Sequence, residues 1–175
     1  GLSMKPKLYE FESLSYESLL NNFQMRKESD LINAMLAKYI LITRTGKIID
    51  DLIRSLIHEK NQCLLQYIIE VSGEISDNQI TPHLEKLLLR NDLWGVNIRN
   101  TCIALIKLGE ANGLNFIKSV IQDRNKPYEL RSKSAEMLYR IGLRDIYEID
   151  EDIIDWREIM SEECYLMLKR NKDKE

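Results

Sequence analysis

Three stretches of this chain repeat one helical stripe, each closed by a glycine, and that repetition limits the possible folds more than any other feature. In Leu130–Gly142, LRSKSAEMLYRIG, the apolar and small residues are Leu130, Ser134, Ala135, Leu138 and Ile141. Offsets of 0, 4, 5, 8 and 11 place them on one face of an α-helix. Gly142 follows the last of them, where a left-handed residue ends a helix without a Cβ clash. Ile98–Gly109, IRNTCIALIKLG, aligned on its glycine, presents Arg99, Cys102, Ala104, Leu105 and Leu108 in the corresponding roles. Asn61–Gly73 is a more degraded copy, with Gln62 near the Arg position and Ile68 and Ile69 in place of the Ala-Leu step. The glycines at 73, 109 and 142 are 36 and 33 residues apart, within the range of helical-repeat units.

An apolar residue, an Arg, two small positions, then Leu, Ile and Gly resembles the second helix of a HEAT repeat of the short bacterial lyase-like kind. The resemblance implies an all-α chain: a right-handed α-α superhelix of about five antiparallel helix pairs, a HEAT-like solenoid. Its second helices, ending at Gly46, Gly73, Gly109, Gly142 and Arg170, then line a concave face. Residues 4–175 read as a single HEAT-like repeat domain, with Gly1-Leu2-Ser3 an expression scar and 171–175 a frayed tail.

Composition agrees with helices and short connections. Seven Gly and three Pro in 175 residues leave little turn chemistry for a many-stranded sheet. Cys63, Cys102 and Cys164 lie in apolar helical patterns without metal-type spacing and read as reduced, buried thiols. No apolar run approaches the roughly 18 residues that span a membrane, and no signal peptide is apparent, so a cytoplasmic location is expected.

Taken in order, the chain is expected to lack an early helix, because Met4–Leu14 has no clear periodicity and contains Pro6. A short helix runs from about Ser15 to Met25, with Leu19, Leu20 and Phe23 as its apolar face. Ser29 or Asp30 caps the next, whose stripe is Leu31, Ile32, Met35, Leu36, Tyr39 and Ile40, and which stops at Gly46. Another carries Ile48, Ile49, Leu52, Ile53, Leu56 and Ile57, and Asn61 opens the helix closing at Gly73. Thr81-Pro82 reads as N-cap and first helical position. The helices from Asn112 to Gln122 and from Leu130 to Gly142 form a further pair, and a last helix spans about Trp156 to Arg170.

Few residues suggest catalysis. His58-Glu59 is the kind of pair that iron-binding HEAT hydroxylases use, but the resemblance implies four such pairs and this chain has one. His83, in a first helical turn, reads as a surface residue. No glycine-rich phosphate loop or nucleophile elbow is present. HEAT-like DNA glycosylases resemble cradles lined by Lys and Arg, with aromatic residues and a carboxylate facing the DNA backbone; Trp94 and Trp156 are the candidates for that aromatic role here, against the ordinary reading of a Trp at a helix start as a packing anchor. Here basic residues are dispersed among acidic ones and the net charge is −3, which weighs against nucleic acid.

The prominent charge feature is Asp145–Glu163, DIYEIDEDIIDWREIMSEE, with nine carboxylates against the single base Arg157. The segment carries −8 and the remainder +5. One reading is a solvated terminal cap. The other is a surface for a basic protein, with Tyr147, Ile149, Ile153, Ile154 and Trp156 as anchors among the charges. The expected function is therefore a non-enzymatic protein-binding module, sharpest as a bacterial immunity protein that occludes the active site of a toxin nuclease. Its expected partner-binding residues are Tyr147, Asp150, Glu151, Asp152, Asp155, Trp156, Glu158 and Glu162. No cofactor, metal, nucleic acid, membrane or small molecule is expected. The alternatives are a generic HEAT-repeat scaffold using the concave face, and a HEAT-like glycosylase or lyase-like enzyme.

Overall fold

The computed structural model describes residues 4–24, 28, 30–109 and 113–140. All the regular structure there is helical: α1 (Met4–Glu12), α2 (Tyr16–Leu20), α3 (Asp30–Arg44), α4 (Ile49–His58), α5 (Gln62–Ile75), α6 (Thr81–Leu88), α7 (Gly95–Lys107), α8 (Asn115–Gln122) and α9 (Tyr128–Arg140). Short 3-10 turns at Asn21–Phe23, Thr45–Ile48 and Asn78–Ile80 join some of them. Among the described residues no helix is long and apolar enough to cross a membrane.

The stripes explain the packing. In α9, Leu130, Ser134, Ala135 and Leu138 are all buried, as their spacing predicts; Ile141 and Gly142 lie outside the described residues. In α7, Cys102, Ala104 and Leu105 are buried, and in α5, Ile68 and Ile69. These faces meet in sequence, with α5 against α7 and α7 against α9, while α3 flanks α5. On the other side, α4 packs on α5, α6 on α7 and α8 on α9, and α4 also touches α6. The pairs expected from the sequence thus form in this region.

Several local expectations are overturned. Residues 4–12 are helical after all, because Pro6 is the third residue of α1, where its missing N–H has no intrahelical acceptor to lose. The helix begun after Ser15 is shorter than expected: Ser15 Oγ accepts from the Ser18 N–H, and a 3-10 turn takes over at Asn21. In α3 the core stripe is rotated to Ala34, Leu36, Ala37, Ile40 and Leu41, leaving Leu31, Ile32, Met35 and Tyr39 exposed. The two alanines permit this, since small residues let the neighbouring helices close on that side. Thr45, with φ of 44°, rather than Gly46, leaves the helical region after α3. Asp30 is a helical residue, and Ser29 lies outside the described residues.

Gly73 does not close α5, which continues to Ile75 and ends on Ser76 at φ 52°. Gly73 instead sits where α7 comes closest, and a Cβ there would lie 3.2 Å from both Cα and Cβ of Ala104. Gly109, with φ of +84°, does close its helix as expected. Thr81 is not an N-cap but the first residue of α6; Asp77 caps the preceding 3-10 turn by accepting from Gln79 N. Cys63 is exposed, because the second position of α5 faces away from the core; Cys102 is buried as expected, and Cys164 lies outside the described residues. Trp94 is exposed immediately before α7, and His83 is half-buried rather than on the surface.

Candidate interaction surface

The helices α3, α5, α7 and α9 are joined by a succession of polar links at regular sequence intervals. Lys38 Nζ meets Glu70 Oε2 at 2.9 Å, from α3 to α5. Lys107 Nζ meets Glu74 Oε1 at 2.6 Å, from α7 to α5. Arg99 reaches Glu136 at 3.5 Å, from α7 to α9, and Glu136 also takes Arg140 at 2.9 Å. The hydrogen bond from Lys107 holds the Glu74 carboxyl below the usual carboxylate range. Each pair is partly exposed, so each contributes at most about 1 kcal/mol to stability. In each link a cation is matched by a carboxylate, so these residues form no unpaired basic stripe.

Between the first two pairs lies a cavity of about 170 Å³, lined by Lys38, Glu70, Glu74, Asn100, Ile103 and Lys107. It exists where Gly73 and Ala104 let α5 and α7 approach. Its cations are already paired with its carboxylates, so an incoming charged group competes with those contacts.

At the starts of α5 and α7 a second network forms around Gln62 and Asn97. Asn97, fully buried, donates from Nδ2 to the Gln62 carbonyl at 2.9 Å and to Gln62 Oε1 at 3.0 Å. The Trp94 N–H donates to the same Oε1 at 2.9 Å, and Gln62 Nε2 donates to the Asp92 carbonyl at 3.2 Å. Arg90 grips the Asp92 carboxylate at 2.9 and 2.7 Å and donates to the Glu59 carbonyl at 3.0 Å. That guanidinium draws the Asp92 carboxyl below its ordinary range. Beside this network a cavity of about 300 Å³ opens between Leu88, Leu93, Ile98, Lys126, Pro127 and Leu130.

Nucleophilic chemistry has little support here. Burial pushes the Cys102 thiol up to about 12, and its sulfur contacts Ser134 Oγ at 3.5 Å. A thiol so far from ionisation is inert. His58 is exposed at the end of α4, and among the described residues no three His, Cys, Asp or Glu side chains gather as metal ligands would.

The residues expected to bind a partner, Tyr147, Asp150, Glu151, Asp152, Asp155, Trp156, Glu158 and Glu162, all lie outside the described residues, as does the whole segment Asp145–Glu163. Sequence reasoning missed the Gln62–Asn97 network, although its 35-residue separation matches the repeat period. Comparison with protein-family models, with curated proteins and with solved structures finds no match to this chain.

Proposed function

We propose that this protein is a binding module that neutralises a basic protein partner, in its sharpest form an immunity protein that occludes the active site of a bacterial toxin nuclease. The observation that carries this reading is the charge division of the chain: Asp145–Glu163 holds −8 against +5 elsewhere. A nuclease site is built to hold phosphate, so clustered carboxylates with interleaved Tyr147 and Trp156 are complementary to it. Long-range attraction of this kind accelerates encounter and weakens as salt screens it.

The scaffold in this proposal is a HEAT-like solenoid in which helix pairs stack edge to edge. The reading is supported by the sequence separation of the links between neighbouring helices: 32 residues for Lys38–Glu70, 33 for Glu74–Lys107, 35 for Gln62–Asn97, 32 for Cys102–Ser134 and 37 for Arg99–Glu136. A nearly constant interval is what a stack of similar units produces.

The test is recovery of the partner from the native host, followed by association rates of a variant with Asp150, Glu151, Asp152 and Asp155 neutralised together. At low ionic strength the variant should associate markedly more slowly and lose much of its salt dependence. Carboxylates desolvated against a Lys or Arg should each cost about 2–5 kcal/mol on truncation. If a partner is recovered and both rate and salt slope are unchanged, the acidic segment is a solvated cap. Binding then passes to the ion-paired face of α3, α5, α7 and α9, and the protein is a scaffold.

A further inference from the structure

Glu70 and Glu74 stand one helical turn apart on one side of α5, where like charges at this spacing repel each other. Each is answered from a different neighbouring helix: Glu70 by Lys38 of α3 at 2.9 Å, and Glu74 by Lys107 of α7 at 2.6 Å. The two pairs also feel each other. The Glu74 carboxyl is held below its ordinary range first by the hydrogen bond and charge of Lys107, and further by the charge of Lys38. All four charged side chains line the same cavity of about 170 Å³. The rest of its wall is apolar or small. Ile69 and Ala104 are buried, Ile103 is half-buried, and Gly73 brings no side chain.

The charged groups keep capacity for a ligand. Within each pair one ammonium N–H meets one carboxylate oxygen, whereas an ammonium carries three donors and a carboxylate two oxygens. Asn100 lines the cavity too, and its Nδ2 is buried without an acceptor among the described residues. A buried donor left unpaired is costly. Rotation about the last, soft torsion of the amide turns it toward an acceptor in the cavity. Two positive and two negative charges on the wall sum to zero. An ion of either sign competes with the pairs and leaves two like side chains unmatched. A molecule carrying an ammonium and a carboxylate adds to both pairs at once. The cavity is smaller than the roughly 300–1,000 Å³ of sites for drug-sized molecules, so only a small molecule enters. We propose that this cavity binds a small aliphatic α-amino acid, its carboxylate taken by Lys38 and Lys107, its ammonium by Glu70 and Glu74, and its side chain laid against Ile69 and Ile103.

The experiment is isothermal titration calorimetry of the whole chain at low ionic strength, with L-valine as the probe. N-acetyl-L-valine, which lacks the ammonium, and L-valine methyl ester, which lacks the carboxylate, are titrated alongside. The charged side chains are between a third and a half exposed, so valine should bind with a modest Kd of about 0.1–1 mM. Each blocked form should bind at least about tenfold more weakly. Lys107→Gln and Glu74→Gln should each weaken valine about tenfold, and should keep the wild-type circular dichroism because that pair is largely exposed. Lys126→Gln, outside the cavity, should bind as the wild type does. If a variant fails to fold, the wild type still carries the test: its melting temperature should rise with valine concentration and not with either blocked form. No binding of valine at about 20 mM overturns the proposal. So does equal binding of the blocked forms, tighter binding of 1,4-diaminobutane or succinate than of valine, or indifference to both Lys107→Gln and Glu74→Gln.

Discussion

Arg131 is a cation held inside the molecule, 8% exposed, with Nε donating to the Ile121 carbonyl at 2.9 Å. That carbonyl belongs to the last turn of α8, where backbone oxygens lack helical partners and a cation is favoured. Arg131→Ala removes the donor and leaves the carbonyl buried, so the expected loss is about 2–3 kcal/mol, read by chemical denaturation. Arg131→Lys should recover little, because a flexible ammonium does not reproduce the guanidinium's fixed N–H direction. A loss under about 0.5 kcal/mol for the Ala variant would contradict this account. From sequence, an Arg at a helix start reads as half-buried, since long cations there usually reach solvent. What reverses it is a carbonyl ten residues upstream, delivered by the turn at 123–127, and no local pattern announces that.

The elements were legible where one face is buried and the other is polar. In α7 and α9 the apolar spacing located both the helix and its core side; in α4 it did so for Ile48, Ile49, Leu52 and Leu56, while Ile57, in the same stripe, is exposed. Asn61, read as opening α5, is its N-cap, accepting from Cys63 N and Leu64 N. The stripe failed in α3, where large apolar residues occupy an exposed arc as well as the packed side, and alanines, not only the larger side chains, mark the packed side. It failed at Gly73 for a related reason. A glycine late in a stripe looks like a stop, yet here it admits the backbone of Ala104. The acidic segment was the main functional reading and lies outside the described residues, so the structure neither places nor removes it. Between elements, buried polar links should matter far more than exposed ones. Asn97→Ala should cost about 2–3 kcal/mol, because it strips two donated bonds from Gln62 inside the α5–α7 contact. Glu74→Gln, at an exposed pair, should cost less than about 1 kcal/mol. Equal losses in thermal melts of the two variants would refute this ordering.

At the scale of the whole molecule, two buried acids among the described residues, Cys102 and Tyr16, oppose folding at alkaline pH. Burial raises the Cys102 thiol from 9.0 and the Tyr16 hydroxyl from 10.0, each to about 12; Tyr16 also shares a 2.8 Å hydrogen bond with Ser55. The folded chain keeps both protons over a range in which the unfolded chain releases them, so rising pH favours unfolding. Their contribution should be intact below about pH 9 and lost between about pH 9 and 12, at about 1.4 kcal/mol per pH unit for each group. In Cys102→Ala the decline should begin nearer pH 10, as urea midpoints across that range would reveal; an unchanged onset would exclude the thiol as its source. The polar links described above also have a mechanical consequence. Because α3, α5, α7 and α9 are each tied to the next by residues 32 to 37 positions apart, tension applied along the chain should meet its resistance in instalments. On the proposed stack of helix pairs, a molecule stretched from its ends should yield by peeling one pair at a time, each release freeing about 100 Å of slack. Such a stack would behave less like a brittle bead than like a spring with a built-in overload release.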